Sequence, residues 1–105
     1  MEQKIGFCRA CDGCMRNGGT CVLKDDMNEI LKMFQEADVL VLATPVYFYG
    51  ISAQMKTFID RTYPIWQHFE EYKIAGRIYA TNVMEAGLVK NQSVFQEAYD
   101  MGYSV

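Results

Sequence analysis

The sequence has no excess of positive charge. Its 105 residues include 10 lysines and arginines against 13 acidic residues, which gives a net charge of −3 at pH 7. A protein that binds a nucleic-acid duplex normally presents a basic surface to the phosphates. This composition therefore argues against a nucleic-acid partner.

Long apolar runs are also missing. No segment approaches the length of a membrane span, and the first residues, Met1 to Lys4, do not resemble a signal peptide. We expect no membrane association and a cytoplasmic location. Histidine is equally scarce, because His68 is the single one, and a lone titratable side chain is more often a surface residue than a ligand. No catalytic acid or base is predicted.

Apolar residues, by contrast, are plentiful. Hydrophobic side chains make up 50% of the sequence and aromatic side chains 13%, which is enough for a folded core and unlike a disordered segment. A length of 105 residues fits one small domain. Within it we expect a cysteine loop over residues 1–24 and an α/β core over residues 25–105.

The apolar pattern alternates between helical and strand spacing. The predicted elements, in chain order, are a helix from Asp26 to Ala37, a strand over 39–43, a helix starting at Ser52, a strand over 76–81 and a helix over 92–101. Asp25 or Asp26 can cap the first helix, and Ser52 the second. Such alternation without repeats is typical of an open parallel sheet flanked by helices.

The four cysteines are clustered in one short segment. Their pattern is Cys8-x2-Cys11-x2-Cys14-x6-Cys21, and scattered core cysteines would not be grouped in this way. A reducing compartment disfavours structural disulfides. Four thiolates on one loop match the ligand count of a 4Fe-4S cluster. A structural zinc site uses the same ligands, and free thiols or a dithiol redox pair is the third interpretation.

An aromatic loop follows the first predicted strand. Ligands of open α/β sheets lie beyond the carboxyl ends of the strands, where this chain reads Thr44-Pro45-Val46-Tyr47-Phe48-Tyr49-Gly50. Successive aromatic side chains can lie against a flat cofactor ring. Alternatively, Tyr47 and Phe48 fill the top of the core. The residues alone favour neither interpretation.

Four motifs together carry a resemblance to a known family. They are Cys11-Asp12-Gly13-Cys14, Lys24-Asp25-Asp26-Met27, Ala43-Thr44-Pro45-Val46-Tyr47-Phe48 and Ser52-Ala53-Gln54-Met55-Lys56-Thr57-Phe58-Ile59-Asp60-Arg61. In this order they resemble the flavodoxin-like NAD(P)H-dependent FMN reductases and iron-sulfur flavoproteins. The complete set of cysteines is similar to the cluster-binding branch.

The resemblance implies two cofactor sites. It implies FMN binding by Thr44, Pro45, Val46, Tyr47, Phe48, Tyr49 and Gly50, and by Thr81 and Asn82 after the next predicted strand. It implies that Cys8, Cys11, Cys14 and Cys21 are the ligands of a 4Fe-4S cluster. Lys56 and Asp60 match as well, and their spacing of four residues predicts an ion pair on the second helix. Arg61 is read first as structural, or as bonding a neighbouring subunit.

One feature of the family is missing from the sequence. Relatives start with a strand, a Ser/Gly/Asn/Thr-rich turn that holds the FMN phosphate, and a helix. We expect a partial flavodoxin-like sheet without that first strand and phosphate loop, as in a chain truncated at its N-terminus. A sheet with an open edge predicts association, most simply as a homo-oligomer.

Three functions remain open on the sequence. The first is electron transfer between a 4Fe-4S cluster and FMN, with NAD(P)H or an electron-transfer protein as a partner. The second is an NAD(P)H-dependent FMN or quinone reductase without a cluster. The third is a non-enzymatic zinc-binding or cofactor-free fragment that acts as an assembly module.

Overall fold

The computed structural model describes residues 3–65, 73–81 and 87–104. Contacts within the chain divide it into two compact units, Met1–Glu71 and Tyr72–Val105, and each is described separately. The assignment of all 105 residues to one domain stays a prediction. In the described ranges no helix combines the length and the apolar character needed to cross a bilayer. His68 lies outside these ranges.

The first unit begins with an extended segment and the cysteine loop. The loop contains one short helix, α1, over Gly13–Arg16. Helix α2 covers Met27–Glu36 and is capped at its end by Ala37, as the sequence predicted. Asp25 stabilises its start, because the carboxylate accepts a hydrogen bond from the backbone N–H of Met27 at 3.2 Å.

The predicted strand over 39–43 is not formed, and in this respect the expectation was wrong. Residues 39–43 have no regular secondary structure, and all four large apolar side chains among them are exposed, with Val41 the most exposed at 83%. A buried parallel strand requires hydrogen-bonding neighbours along its edges. The described residues offer it none, because their two strands pair only with each other.

A small hairpin and a helix follow this segment. Strands β1, Val46–Tyr47, and β2, Gly50–Ile51, pair in antiparallel register. Helix α3 covers Ala53–Asp60. Ser52 caps it as predicted, since its Oγ accepts a hydrogen bond from the N–H of Met55 at 3.2 Å.

The core of the first unit lies between α2 and the segment after α3. Its buried side chains are Met27, Leu31, Phe34 and Ile65, with Ile5, Ile30 and Phe58 packed against them. The apolar stripe predicted for α2 is thus confirmed, because three of these buried residues recur at helical spacing on one face.

The second unit is built around one helix. A 3-10 turn over Leu88–Asn91 leads into α4, Ser93–Ser104, which starts close to the predicted position and continues three residues further. The strand predicted over 76–81 is not formed there; the segment is irregular and mostly exposed. Like residues 39–43, it has no strand neighbour within the described residues.

Candidate functional site

The four cysteines surround one cavity. The cavity has a volume of about 350 Å³, and its lining residues are Cys8, Arg9, Ala10, Cys11, Asp12, Cys14, Cys21, Leu23, Asp60, Arg61, Tyr63 and Pro64. All four cysteines are free thiols. The fold therefore brings all four cysteines of the chain to the same concave surface, as a shared inorganic ligand requires.

The four thiols differ in their exposure to water. Cys14 is buried, Cys21 is half-buried, and Cys8 and Cys11 are exposed. Burial raises the pKa of the Cys14 thiol, and the nearby sulfurs of Cys21 and Cys8 raise it further because a second negative charge would be repelled.

Backbone conformation shapes the cysteine loop. Ala10 and Asp12 have positive φ angles of 49° and 51°, so the chain turns sharply on either side of Cys11. Gly13 is required for a different reason. A Cβ at this position would lie 2.8 Å from Val22 Cγ1 and 3.4 Å from the Cys11 sulfur, so only glycine allows the loop to close so tightly.

Asn28 fixes the segment that carries the last cysteine. Its Oδ1 accepts a hydrogen bond from the N–H of Cys21 at 3.1 Å. Its Nδ2 donates to the carbonyls of Cys21 and Leu23, at 3.1 and 3.2 Å. Asn28, on α2, therefore fixes the backbone at Cys21 and at Leu23. No local signal in the sequence indicated this role.

Arg61 is buried at the wall of the cavity. Only 1% of its surface is exposed. Its two terminal nitrogens donate to the two oxygens of the Asp25 carboxylate at 2.7 and 2.8 Å, in the paired geometry that makes the strongest side-chain hydrogen bonds. Nη1 also donates to the carbonyl of Gly6 at 2.6 Å, and Nη2 to the sulfur of Cys21 at 3.4 Å. One guanidinium thus joins four segments of the first unit.

This ion pair shifts the acidity of both partners. The Arg61 guanidinium lowers the pKa of Asp25 to about 2 from its ordinary value of 3.8. Hydrogen bonds from the N–H groups of Gly6 and Met27 favour the carboxylate as well. The hydrogen bond to Asp25 in turn raises the pKa of Arg61. Both groups are charged at neutral pH.

The depressed pKa of Asp25 predicts a loss of stability in acid. The contribution of a carboxylate with a lowered folded-state pKa is complete above its unfolded value and disappears as the pH falls through the folded value. We expect the pair to stabilise the fold by about 1 to 2 kcal/mol, less than the full shift because water screens part of it. This contribution should disappear between pH 3.8 and about 2.

Urea unfolding of the unmodified chain and of Asp25→Asn over a series of pH values measures this loss. The two proteins should differ most near pH 6 and converge towards pH 2, because only the unmodified chain loses the carboxylate. A difference that stays constant over this range would contradict the assignment.

The sulfurs are spread around the cavity rather than gathered at one point. Among the described residues, no three Cys, His, Asp or Glu side chains are close enough to hold a single metal ion. In a 4Fe-4S cluster each thiolate binds a different iron, so the four sulfurs are further apart than the ligands of one ion. Four cysteines around a common cavity match such a cluster in donor type and number.

The aromatic loop forms the turn of the β1–β2 hairpin. Phe48 and Tyr49 are almost completely exposed and both have positive φ angles, 47° and 63°. Positive φ at both central residues is the signature of a type I′ turn, which normally uses asparagine and glycine. Two aromatic residues here strain the backbone, and such strain is concentrated at functional sites. The interpretation that Phe48 fills the core is wrong, because the side chain points into solvent.

The other predicted flavin residues lie around this turn or in the second unit. Thr44 Oγ1 donates to the Pro45 carbonyl and accepts from the N–H of Ser52, at 3.0 and 3.1 Å, so its hydroxyl closes the base of the loop. Val46 and Tyr47 are exposed on β1. Thr81 is exposed, and its carbonyl accepts from Gln92 Nε2 at 3.1 Å. Asn82 lies outside the described residues.

The charged residues of the cysteine loop and of α3 have different roles. Lys56 and Asp60 form the ion pair that their spacing predicted, on the exposed side of α3. Arg16 Nη2 donates to the carbonyl of Cys11 at 2.9 Å, so it stabilises the cysteine loop. Arg9 lines the cavity itself. Arg61 has the structural role that was the first interpretation of its sequence position, but its partners, 36 to 55 residues away, left no local signal.

Comparison with known proteins identifies the relatives of this chain. An iron-sulfur flavoprotein of Archaeoglobus fulgidus is 40% identical over 93 residues, which are 89% of this chain and 40% of the relative. A second one from the same organism is 34% identical over 87 residues, 83% of this chain and 41% of the relative. An iron-sulfur flavoprotein of Methanocaldococcus jannaschii is 38% identical over 78 residues, 73% of this chain and 40% of the relative. The chain thus spans about two fifths of the length of these curated relatives. No solved structure matches it.

The sequence model of the NADPH-dependent FMN reductase family matches residues 2–100. The chain therefore belongs to this family, and the family resemblance inferred from its motifs is confirmed. The family match also supports the flavodoxin-like α/β fold class predicted from the sequence.

Proposed function

We propose that this chain is the cluster-binding part of a redox flavoprotein. In this proposal Cys8, Cys11, Cys14 and Cys21 hold a 4Fe-4S cluster, and the loop over 44–50 contacts FMN. The observation that supports it most is the single cavity lined by all four cysteines. Three named iron-sulfur flavoproteins among the relatives agree with it.

The residues that line the cavity suit it to an iron-sulfur cluster. Thiolates bind iron, and the backbone turns on either side of Cys11 bring its side chain to the same cavity as the buried Cys14. Arg61 and Arg9 place positive charge at a wall that also carries Asp12 and Asp60, and a guanidinium beside thiolates offsets part of their negative charge. A bound cluster supplies one-electron transfer, and FMN couples single electrons to electron pairs. A reducing cytoplasmic location would keep the thiols available.

The flavin part of the proposal depends on the hairpin turn. The exposed rings of Phe48 and Tyr49 on this strained turn meet edge to face, at 65°, so either ring offers an apolar face of the kind that cofactor rings lie against. Thr44 holds this turn in place through its two hydrogen bonds. Because its hydroxyl proton is donated to the Pro45 carbonyl, it is not available to the flavin ring. We propose that Phe48 and Tyr49 make the ring contact, while the assignment of Thr81 and Asn82 to the flavin stays a prediction from the sequence.

A second function is supported by the family description. NADPH-dependent FMN reductases use a nicotinamide as reductant, so this chain can belong to an NAD(P)H-dependent FMN or quinone reductase. In that case the four cysteines remain thiols and the cavity holds no iron. Self-association is proposed for either function, because the apolar residues 39–43 are exposed and lack strand neighbours within the described residues.

Anaerobic purification with metal and sulfide analysis tests the proposal. We expect about four iron and four sulfide per chain, with the broad visible absorption of a 4Fe-4S cluster. Flavin absorption without iron would favour the FMN reductase. Zinc, or no chromophore after supplying iron, sulfide and FMN, would overturn both and favour an assembly module.

Replacing the strained turn should separate hairpin stability from flavin binding. Phe48→Asn combined with Tyr49→Gly introduces the residues that a type I′ turn prefers, so the free energy of unfolding should rise by roughly 1 kcal/mol or more. FMN binding should weaken by roughly 1 kcal/mol for each lost ring contact. Urea unfolding and flavin fluorescence titration measure the two effects.

The control is Tyr103→Asn, which removes an equally exposed aromatic side chain from α4. It should leave FMN affinity unchanged. Unaltered FMN binding by the turn variant would show that the aromatic loop is not the flavin contact.

A further inference from the structure

Arg61 makes one contact that an ordinary buried ion pair does not require. Its carboxylate partner, Asp25, is already bonded to both terminal nitrogens of the guanidinium. Nη2 nevertheless also donates to the sulfur of Cys21, at 3.4 Å. Sulfur is a weak acceptor when it is a thiol and a much better one when it is a thiolate. A metal-bound cysteine is a thiolate, so metal binding by Cys21 would strengthen the contact.

The position of the guanidinium is fixed from three directions. Asp25 holds it at the start of α2, the carbonyl of Gly6 holds it from the N-terminal segment, and its own backbone extends α3. Burial to 1% exposure removes competing water. Its Nε is buried as well and has no hydrogen-bond partner among the described residues, which leaves a spare donor on a residue that lines the cavity.

The backbone of Cys21 is held by a second residue, Asn28. Asn28 binds its backbone N–H and carbonyl, while Arg61 contacts its sulfur. Backbone and side chain are thus oriented independently by α2 and by the end of α3. Groups that orient a metal ligand in this way also adjust its electron density, because a hydrogen bond to sulfur stabilises the more negative state of the cluster.

We infer that Arg61 is a positioning residue for Cys21, and that its guanidinium orients this ligand and adjusts the reduction potential of the cluster that it binds. Only the second part of this inference, the effect on the reduction potential, rests on the proposed function. The contact between guanidinium and sulfur belongs to the chain itself and can be tested without iron. The role of that contact requires the cluster.

The metal-free test is a double-mutant cycle. Arg61→Lys and Cys21→Ala are made singly and together, and the thermal unfolding of each metal-free chain is measured under reducing conditions. Lysine keeps the charge but cannot reach carboxylate, carbonyl and sulfur with one planar group. If the two side chains interact, the fall in melting temperature of the double variant should be smaller than the sum of the single falls. If the two falls in melting temperature are additive, the side chains of Arg61 and Cys21 do not interact and the inference is wrong.

The test with the cluster uses the release of iron to a chelator and the midpoint potential. Arg61→Lys should release iron about 10-fold faster than the unmodified protein, the lower end of the usual effect for groups that orient a ligand. Its midpoint potential should become more negative, because the reduced cluster loses a hydrogen-bond donor.

Asp25→Asn provides the matched comparison, since it breaks the same ion pair but leaves the guanidinium beside Cys21. It removes a negative charge, so its midpoint potential should stay constant or become more positive. Lys32→Met, an exposed cation on α2, controls for charge alone and should change neither readout.

The outcomes distinguish this inference from the proposed function. Equal iron release and equal potentials in Arg61→Lys and Asp25→Asn would reduce Arg61 to a structural residue and overturn the inference. An unmodified chain that binds no iron, together with a coupled double-mutant cycle, would overturn the proposed function and the potential-adjusting role while retaining the contact.

Discussion

Cys14→Ser is expected to abolish cluster binding. Cys14 is the buried member of the four cysteines, and its position at the start of α1 is fixed because its carbonyl accepts hydrogen bonds from the N–H groups of Asn17 and Gly19, at 3.2 and 2.9 Å. A serine hydroxyl is a poor ligand for iron, and a buried site cannot recruit a substitute from solvent. Iron and sulfide content after anaerobic reconstitution should fall from about four of each per chain to background.

The matched control for this change is Asp12→Asn. Asp12 lies in the same loop and lines the same cavity, but it has no sulfur. Asparagine also tolerates the positive φ of 51° at this position, so the loop should keep its shape. We expect Asp12→Asn to retain its iron. Full iron content in Cys14→Ser, or equal loss in both variants, would contradict the assignment of Cys14 as a ligand.

Arg61→Met should be the most destabilising substitution among the charged residues described. It removes one partner of a buried ion pair, leaves the Asp25 carboxylate with only its two backbone N–H donors, and takes the Arg61 donor from the carbonyl of Gly6 and the sulfur of Cys21. Breaking a buried pair in this way costs about 3 to 5 kcal/mol. Urea unfolding of the metal-free chain should show a lower midpoint, or no cooperative transition at all.

Lys56→Met is the control, because it removes a cation from the same helix whose partner, Asp60, is exposed to solvent. An exposed pair of this kind contributes less than about 1 kcal/mol. The double variant Arg61→Met with Asp25→Leu should recover part of the loss, since no unpaired charge is then buried. If Arg61→Met costs no more than Lys56→Met, the ion pair is not the link between the segments of the first unit.

Local sequence signals predicted the helices of this chain well. The apolar spacing of Met27, Leu31 and Phe34 placed α2, and Ser52 marked the start of α3, because both signals depend on residues within one or two turns. The strands were not found where they were predicted. An apolar run such as 39–43 records what a segment prefers, but a strand exists only when other segments pair with it.

The candidate site was likewise predictable from the sequence only in part. The clustering of four cysteines and the aromatic composition of the loop after residue 43 are properties of the sequence, and they are enough to indicate the family. The strain at Phe48 and Tyr49 was not visible, because their φ angles are imposed by the hairpin rather than by their own preferences. Asn28 and Arg61 gave no local signal either.

The sequence by itself determined the donor chemistry: which side chains can bind iron, which can contact a flat ring, and which family they belong to. Tertiary structure alone decided that all four cysteines share one cavity and that Arg61, 40 residues further along the chain, donates to the sulfur of Cys21. The physical reason is the range of the interactions. Ligand type and helix capping are fixed by neighbouring residues, whereas burial and charge pairing depend on which distant segments the core brings together.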